Sequence, residues 1–216
     1  MSTPSVSVPN AVPKRNGARR ALLTLGGAIA LSAPALPTLA LPGVSAARAE
    51  APAAVSAAAS VDIAAASPFE LAETSKAMWA RGDRLQAAFW FYVFQIRTAP
   101  WAEAQPDLLP LRGAVNDSLG RTINEWLASD VEAWEELAER AIAYEAGQPL
   151  WSDRPEGVDA AEWRDRVERA RATYARDFRQ VFASFDAGDI AAMRREHGLP
   201  VGPLDQPGAP LDPNWL

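Results

Sequence analysis

The sequence predicts an all-α fold, a single antiparallel bundle of five or six helices. Three observations carry that expectation. Apolar residues recur at intervals of three or four through most of residues 67–198, the period that gathers them on one helical face. Short capping signals, such as Ser67-Pro68-Phe69-Glu70, Gly82-Asp83 and Ser129-Asp130, separate the periodic segments. Residues 159–187 contain neither glycine nor proline and carry one continuous apolar stripe.

The first helix is expected to start at Ser67, whose hydroxyl can accept from the third helical amide while Glu70 reaches back, with Pro68 in the first helical position. It runs to about Arg81, and Gly82 suits its end. Asp83 then caps a second helix, with Gln86 three residues on. Phe89-Trp90-Phe91-Tyr92-Val93-Phe94 and Ile96 cover every direction around this helix, so it belongs in the middle of the bundle. Aromatics and valine also suit a strand, but the caps, the length and Ala87-Ala88 favour helix. Pro100 is expected to end it.

Leu108, Leu111, Val115, Leu119, Ile123 and Leu127 mark a third helix over 106–128, with Gly113 and Gly120 as weak points at which it could break in two. A fourth helix covers 130–146, opened by Ser129 and Glu132 as a capping box and closed by Gly147. The fifth, 159–187, carries Trp163, Val167, Ala170, Tyr174, Phe178, Val181, Phe182 and Phe185 on one stripe, and would be roughly 43 Å long. A sixth, 189–197, ends at Gly198. The tail, 199–216, has five prolines and should be extended. Its Trp215-Leu216 end either docks on the bundle or binds a partner.

Gly82-Asp83 followed by Ala87 and Phe91 resembles the turn and second helix of a tetratricopeptide-type hairpin, over residues 72–97. In that family small residues let two antiparallel helices approach closely and an aromatic fills the groove. Ser129-Asp130 with Ala133, and Gly188-Asp189 with Ala192, echo the turn at unequal intervals, so the expectation is recurrent turn chemistry and not a regular repeat array. Residues 89–97 together with Ile123-Asn124 are also similar to exported bacterial proteins of no established function, a likeness that implies no activity.

Residues 1–49 read as a cleavable export signal. Lys14, Arg15, Arg19 and Arg20 form a basic cluster, residues 21–44 are uncharged and largely apolar, and Ala47-Arg48-Ala49 offers small residues where a signal peptidase reads them. Arg19-Arg20-Ala21-Leu22-Leu23 resembles the twin-arginine export motif, departing from it at Ala18 and Thr24. The general secretory route is the alternative. An uncleaved anchor is a third, since 24 uncharged residues can span a bilayer, although Pro34, Pro37 and Pro42 weaken a helix there. The partners implied are the export machinery and signal peptidase, with a periplasmic or secreted destination and no membrane after cleavage. Residues 50–66, mostly Ala, Ser, Pro and Val, read as a flexible leader, and 67–198 as the helical domain.

Removing 49 of the 216 residues takes away 5 of 21 basic and none of 27 acidic side chains, leaving 16 against 27 and a net charge of −11. Such a surface is a poor match for nucleic acid or anionic lipid; its plain consequence is solubility. All eight tryptophans (79, 90, 101, 126, 134, 151, 163 and 215) lie beyond the signal. Most fall on apolar stripes and are expected in the core; a stacking surface for sugars or aromatic ligands is the competing possibility. The absence of cysteine excludes disulfides and thiolate chemistry.

His197 is the single histidine and sits at a predicted helix C-terminus, where a cation is favoured by the dipole, so a nucleophilic triad has no obvious base. Glu132, Glu135, Glu136 and Glu139 are the best carboxylate cluster, but they lack the Glu-x-x-His pair of bundle metal sites and lie on the face away from Trp134 and Leu137. No phosphate loop or dinucleotide fingerprint occurs, and no metal or other cofactor is expected. The polar interruptions of apolar faces are more informative. Tyr92 and Gln95 in the second helix, and Asn116 and Asn124 sharing a face of the third with Gly120, could form a small-molecule or peptide site. Alternatively these groups satisfy one another inside the bundle. The functional expectation is a non-catalytic periplasmic protein that binds a protein, peptide or small molecule. A carboxylate-dependent enzyme acting on envelope glycan, or an inhibitor of a specific toxin or hydrolase, are the alternatives.

Overall fold

In the computed structural model, which describes residues 66–150 and 154–215, the first helix begins where its sequence caps it. The Ser67 hydroxyl accepts from the Glu70 amide at 3.3 Å, and the Glu70 carboxylate accepts from the Ser67 amide at 2.7 Å. From there α1 (Pro68–Arg81) runs to Gly82, whose φ of +96° makes the left-handed turn that a glycine tolerates. The chain turns back at once into α2 (Arg84–Ala104). Every residue from Ala87 to Thr98 is buried, and α1, α5 and α6 pack around this helix. Ser75 and Ala87 let α1 and α2 close together, and the Ser75 hydroxyl donates to the Ala87 carbonyl at 2.6 Å. The described residues are all-α, with six helical rods.

Two expectations about α2 are corrected. Pro100 does not end it: the helix continues to Ala104, because the missing amide is offset by burial of Pro100 and Ala102 and by the edge-on contact of Trp101 with Trp163 at 5.5 Å. Asp83 makes no side-chain cap. Its carboxylate takes Arg81 and the Ala209 amide instead, while Gln86 donates to the Pro210 carbonyl at 2.8 Å. The C-terminal tail has claimed both groups.

The third rod is a 3₁₀ turn (Pro106–Leu108), α3 (Leu109–Val115), a π-helical turn (Asn116–Gly120) and α4 (Arg121–Leu127) in unbroken succession. Its apolar stripe does not run straight. Ile123 and Leu127 are fully buried beyond the π turn, whereas Leu111 before it is 45% exposed. A residue added to one turn rotates the following face by about 100°.

Next comes α5 (Val131–Gly147), capped by Asp130, which accepts from the Ala133 amide at 3.1 Å. Ser129 is therefore not the cap; its hydroxyl closes the preceding helix on the Trp126 carbonyl at 2.8 Å. Asp159 caps α6 (Ala160–Phe182) through the Ala161 and Glu162 amides. At 23 residues this helix is about 35 Å long, shorter than expected. It stops early because Asp186 caps the next helix, α7 (Ala187–Glu196), by accepting from the Asp189 amide at 3.0 Å. His197 is the C-cap of α7, with Nδ1 2.8 Å from the Met193 carbonyl.

Aromatic rings dominate the core. Trp90, Trp134, Phe89, Phe94 and Phe178 are among the fully buried side chains, and Trp163 is also buried. Trp79, Trp101, Trp126 and Trp215 are half-buried, each against another ring. Trp151 lies outside the described residues. The tail is extended and docked: Leu85 donates to the Pro207 carbonyl at 2.9 Å, Gly202 to Ser129 at 3.0 Å, and the Trp126 indole to Asp205 at 2.8 Å. Trp215 stacks on Phe89 at 5.5 Å and meets the edge of Trp90 at 4.9 Å. Arg19, Arg20, Ala47 and Ala49 of the export signal, and the leader up to residue 65, lie outside the described residues. Among the described residues no helix is long and apolar enough to cross a membrane.

Candidate functional site

A cleft of about 530 Å³ opens between α2, the third rod and α6. From α2, Gln95, Ala99 and Glu103 face it at four-residue spacing. The third rod adds Arg112 and Asn116, again four apart. The wall from α6 includes Ala170, Tyr174, Phe178 and Val181. The π turn begins at Asn116. Within it Ser118 bonds back to the Ala114 carbonyl at 2.7 Å, and just beyond it Thr122 bonds back to the Ser118 carbonyl at 3.1 Å. Such wide turns recur at functional sites.

The four residues expected to form a site fall into two pairs. Gln95 and Asn116 line the cleft, where the Gln95 amide nitrogen donates to Asn116 Oδ1. In that pairing the side-chain oxygen Oε1 of Gln95, distinct from its backbone carbonyl, and the Asn116 amino group are spared for another molecule. Tyr92 and Asn124 are buried beneath, off the cleft lining. The Tyr92 hydroxyl donates to Asn124 Oδ1 at 3.0 Å and accepts from the Trp134 indole at 2.5 Å, so this second pair satisfies itself inside the bundle. The pairs remain in mechanical contact, because the Tyr92 ring meets Phe178, a cleft residue, at 6.3 Å.

Arg112 is the feature that the sequence reasoning missed. Its Nε donates to the Thr98 hydroxyl at 3.0 Å and its Nη2 to the Gln95 carbonyl at 3.2 Å, while the Thr98 hydroxyl donates on to Phe94 at 2.7 Å. The guanidinium is thus clamped onto the α2 backbone. Burial lowers its pKa, an effect partly offset by Tyr174. Burial in turn pushes the Tyr174 phenol well above its ordinary value, against the opposing pull of Arg112, and so keeps it a neutral donor. A signal was present: Arg112 precedes Asn116 by four, on the same helical face.

Other arginines of the interior have acidic company. Arg97 and Arg171 share Glu145, at 2.8 and 3.0 Å, and Arg166 takes Glu162 at 2.8 Å. Arg194 is the exception: it bonds the Pro200 carbonyl at 2.8 Å, and burial lowers its pKa against the smaller opposing effect of the Glu125 charge. Among the described residues no carboxylate forms an ion pair with Arg112. The α5 carboxylates are engaged elsewhere, Glu136 with Arg140 at 2.6 Å and Glu139 with both donors of Arg179 at 2.8 Å.

Chemically, the cleft offers a fixed cation, a neutral phenol, an amide donor and an amide acceptor beside apolar surface from Ala99, Ala170, Phe178 and Val181. That set orients a ligand by hydrogen bonding, and Glu103, Arg169, Thr173 and Asp177 complete the lining. No protein-family model, curated protein or solved structure matches this chain.

Proposed function

We propose that this chain is an exported, non-catalytic binding protein that holds a small organic molecule in the cleft between α2, the third rod and α6. The observation that carries the proposal is the lining: clamped Arg112 and the Gln95–Asn116 amide pair stand beside the apolar side chains of Phe178 and Val181. A cleft of about 530 Å³ is within the range that ligand sites occupy, roughly 300–1,000 Å³. Binding is preferred to catalysis because the clamped guanidinium and the paired amides suit recognition, while the carboxylates of the lining, Glu103 and Asp177, are exposed side chains and Asp177 is engaged by Arg176 at 2.9 Å.

The test is a thermal-shift screen of the purified chain against small acids, amines, amino acids, sugars and short peptides, followed by calorimetry on whatever stabilises it. Asn116→Leu should abolish binding by removing the amide and narrowing the cleft. A ligand bound equally well by the variant lies elsewhere and overturns the proposal, as does a screen with no ligand at all.

Export rests on the sequence: the basic cluster, the apolar run and the Ala47-Arg48-Ala49 site. Replacing Arg19 and Arg20 by lysine should block passage if the twin-arginine route is used. Unchanged export of that variant would assign the chain to the general route.

A further inference from the structure

The proposal above leaves the ligand's chemistry open, and Arg112 narrows it. A cation held away from water is costly unless an opposite charge reaches it. In this fold Arg97, Arg171 and Arg166 meet that requirement with a carboxylate, and buried Arg194 meets it in part, bonded to the Pro200 carbonyl with the charge of Glu125 opposing the effect of burial. Arg112 is given only neutral acceptors, the Thr98 hydroxyl and the Gln95 carbonyl. These bonds use its Nε and Nη2 and hold the guanidinium plane at the cleft wall. The remaining donor edge is preorganised for an anion.

The size of that anion follows from the count of charges. One guanidinium balances a monoanion; a phosphate dianion ordinarily draws on a second cation or a helix N-terminus. The lining also holds Arg169 with the carboxylates Glu103 and Asp177, so any anion meets some repulsion there, and a monoanion meets less of it than a dianion. The Tyr174 hydroxyl and the Asn116 amino group supply neutral donors beside Arg112. The rest of the wall, Ala99, Ala170, Phe178 and Val181, suits a hydrocarbon body.

We propose that the cleft ligand is a small amphipathic monocarboxylate, an alkanoic or arylalkanoic acid, with its carboxylate on Arg112 and its apolar body against Phe178 and Val181. This inference rests on the reading of the cleft as a binding site. It commits further to the charge and polarity of the occupant.

Hexanoate, hexanol and hexylamine share a tail and differ in the head group, so calorimetry of the full chain with these three probes isolates the head. Phenylacetate extends the test to an aryl body. The acids should bind about tenfold or more tightly than the alcohol and the amine, a margin expected for a hydrogen-bonded charge pair. Arg112→Gln should erase the difference between acid and alcohol, and Arg112→Lys should retain part of it. Should Arg112→Gln fail to fold, the comparison of probes on the unaltered chain and the weakening of acid binding by added salt still decide the matter. Equal binding of hexanol and hexanoate, or acid binding unchanged in a folded Arg112→Gln chain, overturns the inference. So does failure of both acids to bind. If Asn116→Leu meanwhile abolishes binding of some other ligand from the screen, the cleft stands as a site and only the carboxylate assignment falls.

Discussion

The ring of Phe91 is pressed against the backbone of Gly120, so closely that a Cβ on Gly120 would stand 2.6 Å from the ring Cζ. Phe91 is itself buried, packed between α2 and the π turn, and has little room to withdraw. Gly120→Ala therefore sets a gain of about 1 kcal/mol in helix propensity against an overpacking cost of about 1–3 kcal/mol. The expected outcome in urea unfolding is a net loss of stability. Phe91→Leu should relieve the clash, so the double variant should lose less than the two single losses combined. Independent, additive losses would show that the contact does not matter.

A second prediction concerns the ion triad that ties three helices together. Arg97 of α2 and Glu145 of α5 are 3% and 4% exposed and 2.8 Å apart, and Arg171 of α6 reaches the other carboxylate oxygen at 3.0 Å. α2 and α6 also wall the cleft, so the triad ties its two walls together through α5. Glu145→Gln leaves two guanidinium groups without their shared anion and should cost about 3–5 kcal/mol. Arg171→Gln should cost less, since Arg97 still satisfies Glu145. Equal losses, measured by urea midpoints, would remove Glu145 from the centre of the network.

These two contacts also mark what a sequence can and cannot disclose. The helix starts at Ser67 and Asp159, the stop at Gly82 and the all-round burial of α2 follow from local chemistry, and all are found. Expectations failed where a distant segment intervened. Asp83 and Gln86 gave up their capping roles to the tail, whereas α6 ended early for a local reason, the cap that Asp186 makes for α7. The site divides in the same way. Gln95 and Asn116 could be picked out as amides on apolar faces, but only packing shows that Tyr92 and Asn124 bond each other beneath them. Arg112 escaped notice because a charged residue one position from Leu111 looks like solvated surface until packing brings it to Thr98 and Gln95 of α2.

Tyr92 yields a pH prediction. Burial holds its phenol well above the ordinary value of 10.0, with Tyr174 adding to the shift and the Trp134 bond opposing it. Above about pH 10 an unfolded chain releases a proton that the folded chain keeps, so stability is full below that pH and falls as the pH rises through it. Tyr92→Phe should flatten this alkaline decline. It should also lower stability at neutral pH by about 1–3 kcal/mol, because Asn124 and the Trp134 indole lose their partner. Urea midpoints collected between about pH 8 and pH 11 compare the two chains. Parallel curves would exclude Tyr92 from the alkaline transition.

The last prediction is local and concerns the docked tail. Gly208 has a φ of +76°, and a Cβ there would lie 2.6 Å from Cα of Asp83 and closer still to the Gly82 carbonyl. Both neighbours are backbone of the α1–α2 turn, so neither can swing aside, and Gly208→Ala must lift the tail at that point. The first bond to suffer is the one from the Leu85 amide to the Pro207 carbonyl at 2.9 Å. Hydrogen exchange at Leu85 should therefore accelerate while amides in the middle of α2 keep their protection. Trp215→Ala attacks the other end of the tail, where the indole stacks on Phe89 and meets Trp90. A fully buried tryptophan would cost about 3–5 kcal/mol on truncation, and half-buried Trp215 should cost less, on the order of 2 kcal/mol. Unchanged exchange at Leu85 in Gly208→Ala, or full stability in Trp215→Ala, would mean that the tail rests on the bundle without holding to it.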